Sequence, residues 1–308
     1  MKIILASPRG FCAGVRRAIE TLSLVLDRFK PPIYVYHEIV HNNWVVEHFR
    51  EKGTIFIQSL DDVPNGSILL FSAHGVSPEI RLKAQQRELR TIDATCPLVH
   101  RIHRLAQNYA AQGFHIIFLG HAGHDEVVGT LGEAPGRITL VSSLEDIDKL
   151  DFPAHQPLTF LMQTTLSQTE SEKMAQRIRE RFSSQLKEPS NDGICFATQN
   201  RQNAVRKWQN RCNKGLVVGS PNSSNSRRLA ELAQETGIIA FLIDGPDDIP
   251  YNKLEQNDSV LITAGASVPE KIINLCVTQL VRRFGATVEQ ETSSPENVVF
   301  FPPKIEEF

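Results

Sequence analysis

The sequence predicts an α/β protein made of three similar α/β domains with mostly parallel sheets in a quasi-threefold arrangement. Three observations predict it. Short apolar, β-branched runs alternate with amphipathic helical stretches along the whole chain, the pattern of strands joined by crossover helices. Three widely separated cysteines, Cys12, Cys96 and Cys195, each fall near a strand-to-helix junction. Polar segments rich in Gly or Ser follow strands directly, and in parallel sheets ligand sites form outside the carboxyl ends of strands.

Taken in order, Ile3 to Ala6 is a first strand, and a helix runs from Cys12 to about Phe29. Ile33 to Tyr36 is a strand leading into His37-Glu38-Ile39-Val40-His41-Asn42-Asn43, then a helix through Trp44 and Phe49. Thr54 to Ile57 is a strand, Pro64-Asn65-Gly66 a turn, and Ser67 to Phe71 a strand ending at Ser72-Ala73-His74-Gly75-Val76-Ser77. A helix and a short strand bring the chain to Asp93-Ala94-Thr95-Cys96-Pro97. Leu98, Ile102, Leu105 and Ala106 continue at helical spacing, and Pro97 suits a first turn whose N–H groups lack intrahelical partners. The helix to Gly113 precedes the strand His115 to Leu119 and the loop Gly120-His121-Ala122-Gly123-His124-Asp125-Glu126. Leu158 to Met162 is a strand ending at Gln163-Thr164-Thr165-Leu166-Ser167, followed by a helix to Phe182 and a polar linker over 183–192. After Cys195 come a helix from Asn200 to Trp208 and the strand Leu216 to Gly219, which ends at Ser220-Pro221-Asn222-Ser223-Ser224-Asn225-Ser226. A helix, the strand Ile238 to Ile243, the strand Val260 to Thr263, the turn Ala264-Gly265-Ala266-Ser267 and a helix to Phe284 complete the third unit. The expected domains are 13–96, 97–192 and 193–284 joined by 1–12, with a C-terminal tail over 285–308.

Composition sets the class. With 308 residues, the chain is long enough for two or three domains and a large core. A net charge of −2 offers no global attraction to nucleic acid or to a membrane surface. No apolar run approaches the roughly 20 residues of a spanning helix, and the short strand at Met1 lacks the features of a signal peptide. The expectation is a cytoplasmic monomer that binds neither nucleic acid nor membrane. Five cysteines, an odd number, do not suggest a disulfide framework. Cys276 lies in the apolar helical run Ile272 to Val277 and reads as packing; Cys212 reads as incidental.

The remaining trio admits three readings. Three thiolates at helix N-termini could hold an iron–sulfur cluster with one iron lacking a protein ligand. Three cysteines and a histidine could hold zinc. Or the three could be unrelated buried residues, since no short Cys-x-x-Cys spacing links them. Among the histidines, His41, His74 and His124 each follow a strand beside small or polar residues, as would suit an anionic substrate. His100, His103 and His155 lack that context. The run Asn222 to Ser226 offers hydroxyls, amides and helix N–H groups, the donors a diphosphate needs; read alone it is also an ordinary N-cap and turn. Glu126 could shuttle protons or serve as an acid at a helix start. No Walker A or Gly-x-Gly-x-x-Gly pattern is present. A redox cluster, a diphosphate cradle and one acid together point to reductive chemistry on a small phosphorylated molecule.

These segments resemble the 4-hydroxy-3-methylbut-2-enyl diphosphate reductase family, which performs the last step of the methylerythritol phosphate route to isoprenoids. The resemblance is carried by Pro8-Arg9-Gly10-Phe11-Cys12-Ala13-Gly14-Val15, Ser72 to Ser77, Asp93 to Val99, Gly120 to His124, Gln163 to Ser167, Gly219 to Ser226 and Thr263 to Ser267. It implies one 4Fe-4S cluster at the centre of the three domains, held by Cys12, Cys96 and Cys195, with the substrate hydroxyl on the fourth iron. It implies an allylic diphosphate substrate held by His41, His74, Ser223, Ser224, Asn225 and Ser267, with His124 nearby. Glu126 would deliver protons and Thr164 would help order the reacting hydroxyl. Two electrons from a ferredoxin or flavodoxin would yield isopentenyl and dimethylallyl diphosphate with loss of water. One motif position departs from the family: Asp125 stands where proline is usual, and the expectation is that it points to solvent. A non-redox diphosphate sensor with a zinc site is the competing class.

Overall fold

The computed structural model describes residues 1–190, 193–290 and 296–305. The elements, in chain order, are β1 (Lys2–Leu5), α1 (Ala13–Arg28), β2 (Ile33–Tyr36), α2 (Asn43–Glu51), β3 (Thr54–Ile57), β4 (Ile68–Phe71), α3 (Pro78–Gln86), β5 (Arg90–Asp93), α4 (Pro97–Ala111) and β6 (His115–Leu119). They continue with α5 (Asp125–Leu131), β7 (Ile138–Val141), α6 (Leu144–Lys149), β8 (Leu158–Met162), α7 (Gln168–Phe182), α8 (Phe196–Trp208), β9 (Lys214–Val218), α9 (Ser224–Glu235), β10 (Ile239–Ile243), β11 (Ser259–Ala264), α10 (Glu270–Phe284) and β12 (Thr287–Gln290). The strands form three sheets, and every pairing between them is parallel. This is the α/β class expected from the alternation. The chain packs as two compact units. One comprises Met1–Arg16, Val40–His48 and Phe196–Val299; the other comprises Arg17–Ile39, Phe49–Cys195 and the residues from Phe300.

The first unit holds the five-stranded sheet, ordered β10-β9-β11-β1-β12. Successive side chains of a strand point to opposite faces, so each strand feeds two cores. Ile3 and Leu5 pack with Leu216, Val218, Ile262 and the α10 residues Ile273, Cys276 and Leu280. Ile4 and Ala6 pack on the other side with Val217, Leu261 and the helical residues Val205, Trp208, Leu229 and Leu232. Each of these aliphatic side chains contributes about 1.5–3 kcal/mol of burial. The sheet is therefore rigid, and what it carries at its strand ends is held still.

The second unit holds a four-stranded sheet, β3-β2-β4-β5, and a three-stranded one, β7-β6-β8. All four residues of β4 and all five of β8 are buried, as strands covered on both faces require. Along β6 the same alternation recurs. Ile117 and Leu119 meet Ile147, Met174 and Ile178, while Ile116 and Phe118 meet Ile102, Ala106 and Val127.

The expected order of elements differs in three places. Between β6 and β8 lie α5, β7 and α6, of which the two helices are too short for a periodicity to register. Residues 183–190 are not a plain linker. The Gln185 carbonyl accepts from the Leu158 N–H at 2.9 Å and the Lys187 N–H donates to the Leu158 carbonyl at 2.8 Å, which pins the segment to the start of β8; residues 191 and 192 lie outside the described ones. The tail begins with β12, an edge strand beside β1. Farther on, Glu296 pairs with Arg201 at 3.2 Å. Arg201 is fully buried, and its guanidinium also donates to the Gly10 carbonyl at 2.7 Å and to the Ala197 carbonyl at 2.7 Å. A buried guanidinium needs such partners, because removing one strands an uncompensated charge.

Candidate active site

The three junction cysteines share one local geometry. After β1 the chain turns through Gly10, at φ +64°, where an added Cβ would sit 3.0 Å from the Val268 carbonyl oxygen. Glycine suits that position because it adopts this region at no steric cost. The turn delivers Cys12 to the start of α1. Its N–H donates to the Ala266 carbonyl at 3.1 Å, its carbonyl accepts from the Arg16 N–H at 2.9 Å, and its Sγ accepts from the Val15 N–H at 3.5 Å. Cys96 is the N-cap residue of α4, with Pro97 in the first turn and no side-chain capping bond. Its N–H donates to the Ala73 carbonyl at 3.0 Å. Cys195 immediately precedes α8, and its N–H donates to the Thr164 carbonyl at 3.1 Å. Helix N-termini present partial positive charge and so favour thiolates. None of the three is in a disulfide, and each is partly exposed. Cys212 and Cys276 contrast with them. Both are buried, and burial pushes their thiols up to about 11 and about 12. They stay protonated and inert at neutral pH, as expected for Cys276; Cys212, read from the sequence as incidental, is buried as well.

In the first unit, the segment after β9 forms the expected N-cap. Ser223 Oγ accepts from the Ser226 N–H at 3.3 Å, and the Ser226 hydroxyl donates to Ser223 Oγ at 3.0 Å. A Cβ on Gly265 would fall 2.0 Å from Ser226 Oγ, so the turn after β11 approaches this cap too closely for any side chain. Ser224 and Asn225 occupy the first turn of α9 and are buried. Both side-chain amide atoms of Asn225 are buried without a hydrogen-bond partner. An unsatisfied buried polar group costs about 1–3 kcal/mol, which makes it a place where a ligand is awaited. Ser267 donates to the His41 carbonyl at 2.9 Å and so ties the turn after β11 to the segment before α2. That segment is capped by Asn42, whose Oδ1 accepts from the Val45 N–H at 3.1 Å.

In the second unit, Glu126 is the central group. It is 2% exposed, with Oε1 accepting from the Thr164 N–H at 2.7 Å and Oε2 from the Thr164 hydroxyl at 2.9 Å. Burial pushes its carboxyl up to about 7, against the pull of the two Thr164 bonds. Thr164 thus holds the acid with its N–H and hydroxyl and Cys195 with its carbonyl. His124 caps α5, its Nδ1 accepting from the Glu126 N–H at 3.2 Å. An imidazole that accepts at Nδ1 carries its proton at Nε2. The His74 and His124 rings stand edge-on with centroids 5.8 Å apart, and His74 Nδ1 lies 3.2 Å from Ser72 Oγ.

Asp125 corrects the sequence expectation. It does not point to solvent: its side chain is 16% exposed, with one oxygen hydrogen-bonded to His37 Nδ1 and the other 3.8 Å from His74 Nδ1. A helix start turns adjacent residues to different sides, so Asp125 and Glu126 serve different partners. His37 was not among the expected site residues. The signal that could have found it was its place after β2, equivalent to that of His74 after β4.

The LytB protein family model matches residues 3–281. The chain belongs to the LytB family. The 4-hydroxy-3-methylbut-2-enyl diphosphate reductase of Rhodopirellula baltica is 52% identical to it over 99% of this chain and 95% of that one. The Pseudomonas aeruginosa protein of the same name is 46% identical over 99% and 98%. Among solved structures, the E-1-hydroxy-2-methyl-but-2-enyl-4-diphosphate reductase of Plasmodium falciparum superimposes with a TM-score of 0.93 at 38% identity, covering 98% of this chain and 95% of that one. An (E)-4-hydroxy-3-methyl-but-2-enyl diphosphate reductase described as the terminal enzyme of the non-mevalonate pathway gives a TM-score of 0.65 at 28% identity over 92% of this chain and all of that one. No helix among the described residues is long and apolar enough to cross a membrane.

Proposed function

We propose that the protein reduces (E)-4-hydroxy-3-methylbut-2-enyl diphosphate, the substrate that the names of its LytB relatives give for them, and that the products are isopentenyl and dimethylallyl diphosphate. Each turnover breaks the substrate's C–O bond, releases the oxygen as water and consumes two electrons and two protons. The carrying observation is Glu126, a buried carboxyl near 7 held on both oxygens by the one residue whose carbonyl also holds Cys195. Such a carboxyl is substantially protonated at neutral pH and suits a general acid.

The donor set fits an iron–sulfur group. Cys12, Cys96 and Cys195 are partly exposed thiols at helix starts, outside any disulfide, whereas the remaining two are buried with raised pKa. We assign these three as the ligands of one 4Fe-4S cluster, which when bound supplies the two electrons one at a time. His41, His74, Ser223, Ser224, Asn225 and Ser267 hold the diphosphate by donated hydrogen bonds, Ser267 by turning its hydroxyl from the His41 carbonyl to the anion. His124 presents Nε2–H to the anion. Thr164 orders the reacting hydroxyl and keeps the Glu126 carboxyl aimed. Glu126 gives up the proton that leaves with the hydroxyl oxygen. The electron donor is a ferredoxin or flavodoxin, and the protein works as a cytoplasmic monomer.

The test is made on anaerobically purified protein. Brown colour with broad absorption at about 400 nm, and conversion of the diphosphate substrate with a chemical reductant, are the expected results. A colourless zinc protein that binds the diphosphate unchanged would replace this reading with a sensor.

A further inference from the structure

Asp125 sits beside the proposed acid yet serves a different group. His37, which follows β2, adopts φ +60°, a left-handed backbone conformation that a residue with a Cβ rarely takes. Its N–H is anchored on the Ile57 carbonyl at 2.8 Å, and its ring lies 4.2 Å from that of Tyr36. The strained backbone aims its Nδ1 at Asp125, to which it is hydrogen-bonded. The second Asp125 oxygen lies 3.8 Å from His74 Nδ1. The three side chains are only 24%, 16% and 14% exposed, so solvent screens their interactions weakly.

From this chain of contacts we infer that Asp125 is a positioning residue for His74, with His37 as its counter-anchor. The proposal rests on the reading of His74 as a diphosphate ligand. The Nδ1 edge of the His74 ring is turned to Ser72 and Asp125, which directs the opposite edge, Nε2, away from them. Ser72 donating to a neutral ring, or the carboxylate facing the Nδ1–H of an imidazolium, leaves a proton on Nε2 to donate to an anion. A neutral ring with its proton at Nδ1 would leave Nε2 an acceptor, so binding of the anion selects the first two arrangements. His37 fixes one oxygen of Asp125, and the other faces His74 Nδ1.

The experiment measures KM and kcat of the cluster-loaded enzyme, together with its dissociation constant for inorganic diphosphate. Asp125→Asn should raise both KM and the diphosphate dissociation constant about tenfold, the scale of one weakened charge-assisted contact, with kcat and the cluster absorption unchanged. Asp125→Glu should restore most of the affinity. His74→Gln should weaken binding at least as much, and adding Asp125→Asn to it should cost nothing further, because the residue being positioned is gone. His37→Asn reads the same relay from its far end if Asp125→Asn fails to fold, since asparagine tolerates the left-handed region. Unchanged or tighter binding in Asp125→Asn, beside weakened binding in His74→Gln, would overturn this inference alone. A fall in kcat at constant KM would overturn it too, by placing Asp125 on the proton path. Unchanged binding in His74→Gln would remove the diphosphate reading of His74 on which it rests.

Discussion

Replacing Glu126 by Gln separates the chemistry of the acid from its packing. Glutamine keeps the volume. Its Oε1 can accept from the Thr164 N–H, and its amide can donate to the Thr164 hydroxyl once that hydroxyl rotates, so both contacts at 2.7 and 2.9 Å have a replacement. What is lost is an acidic proton. Turnover should fall about 10²-fold or more, the usual scale for a lost general acid. Wild-type turnover should decline as pH rises above about 7, where the carboxyl loses its proton, while the residual Glu126→Gln rate stays flat across that range. Stability should fall in the same direction. The folded carboxyl is raised from 4.5 to about 7. Native protein therefore binds more protons than unfolded protein between those values, and stability is lost as pH rises through them. At about 1.4 kcal/mol per unit, the loss attributable to this carboxyl is about 3 kcal/mol. Denaturant titrations at pH 5 and pH 8 should show Glu126→Gln without that loss, hence relatively more stable at the higher pH. Wild-type turnover in Glu126→Gln, or a stability gap between the two proteins that ignores pH, would refute the assignment of a buried, largely protonated acid.

Three further outcomes are expected. Cys12→Ser, Cys96→Ser and Cys195→Ser should each sharply lower bound iron and sulfide, whereas Cys276→Ser should cost stability at most, its thiol being buried among Ile3, Ile273 and Leu280; full iron content in Cys195→Ser defeats the ligand assignment. Asn225→Ala removes two orphaned buried amide atoms, so it should stabilise the ligand-free protein by up to about 1 kcal/mol while raising KM about tenfold; a lower Tm with unchanged KM contradicts the cradle. Arg201→Met leaves Glu296 with only the Asn200 amide and frees the Gly10 carbonyl, so it should lower Tm and loosen iron retention at Cys12, with a loss of about 3 kcal/mol for the broken buried pair; iron content and Tm at wild-type levels would show that the tail does not brace this turn.

Much of this was legible in the sequence for identifiable reasons. Ile3 and Leu5 alternate with Ile4 and Ala6, so a strand buried on both faces is readable from four residues. Each of Cys12, Cys96 and Cys195 has a strand on one side or a helix on the other strong enough to place it at a helix start. The Ser223 cap follows from a hydroxyl residue before a helix, and its bond to the Ser226 N–H is the expected one. What was not legible is of two kinds. The helix α5 has only seven residues, one of them Gly129, too few to display a period, and β7 fully buries only Val141 of its four residues, so it lacks the buried run of β1. The other kind depends on partners distant in sequence. Glu296 meets Arg201 across 95 residues and Asp125 meets His37 across 88. No local pattern says that an aspartate following a histidine turns to another histidine and not to water.

The most direct test of the central claim is an electron count during turnover. Cluster-loaded protein is mixed anaerobically with a limiting amount of 4-hydroxy-3-methylbut-2-enyl diphosphate and an excess of a coloured one-electron reductant, and the products are identified by mass spectrometry. Two equivalents of reductant oxidised per substrate, with every product a C5 diphosphate lacking the hydroxyl oxygen, is the expected result. Substrate recovered intact from protein with full iron and sulfide content, with no reductant consumed, would contradict it.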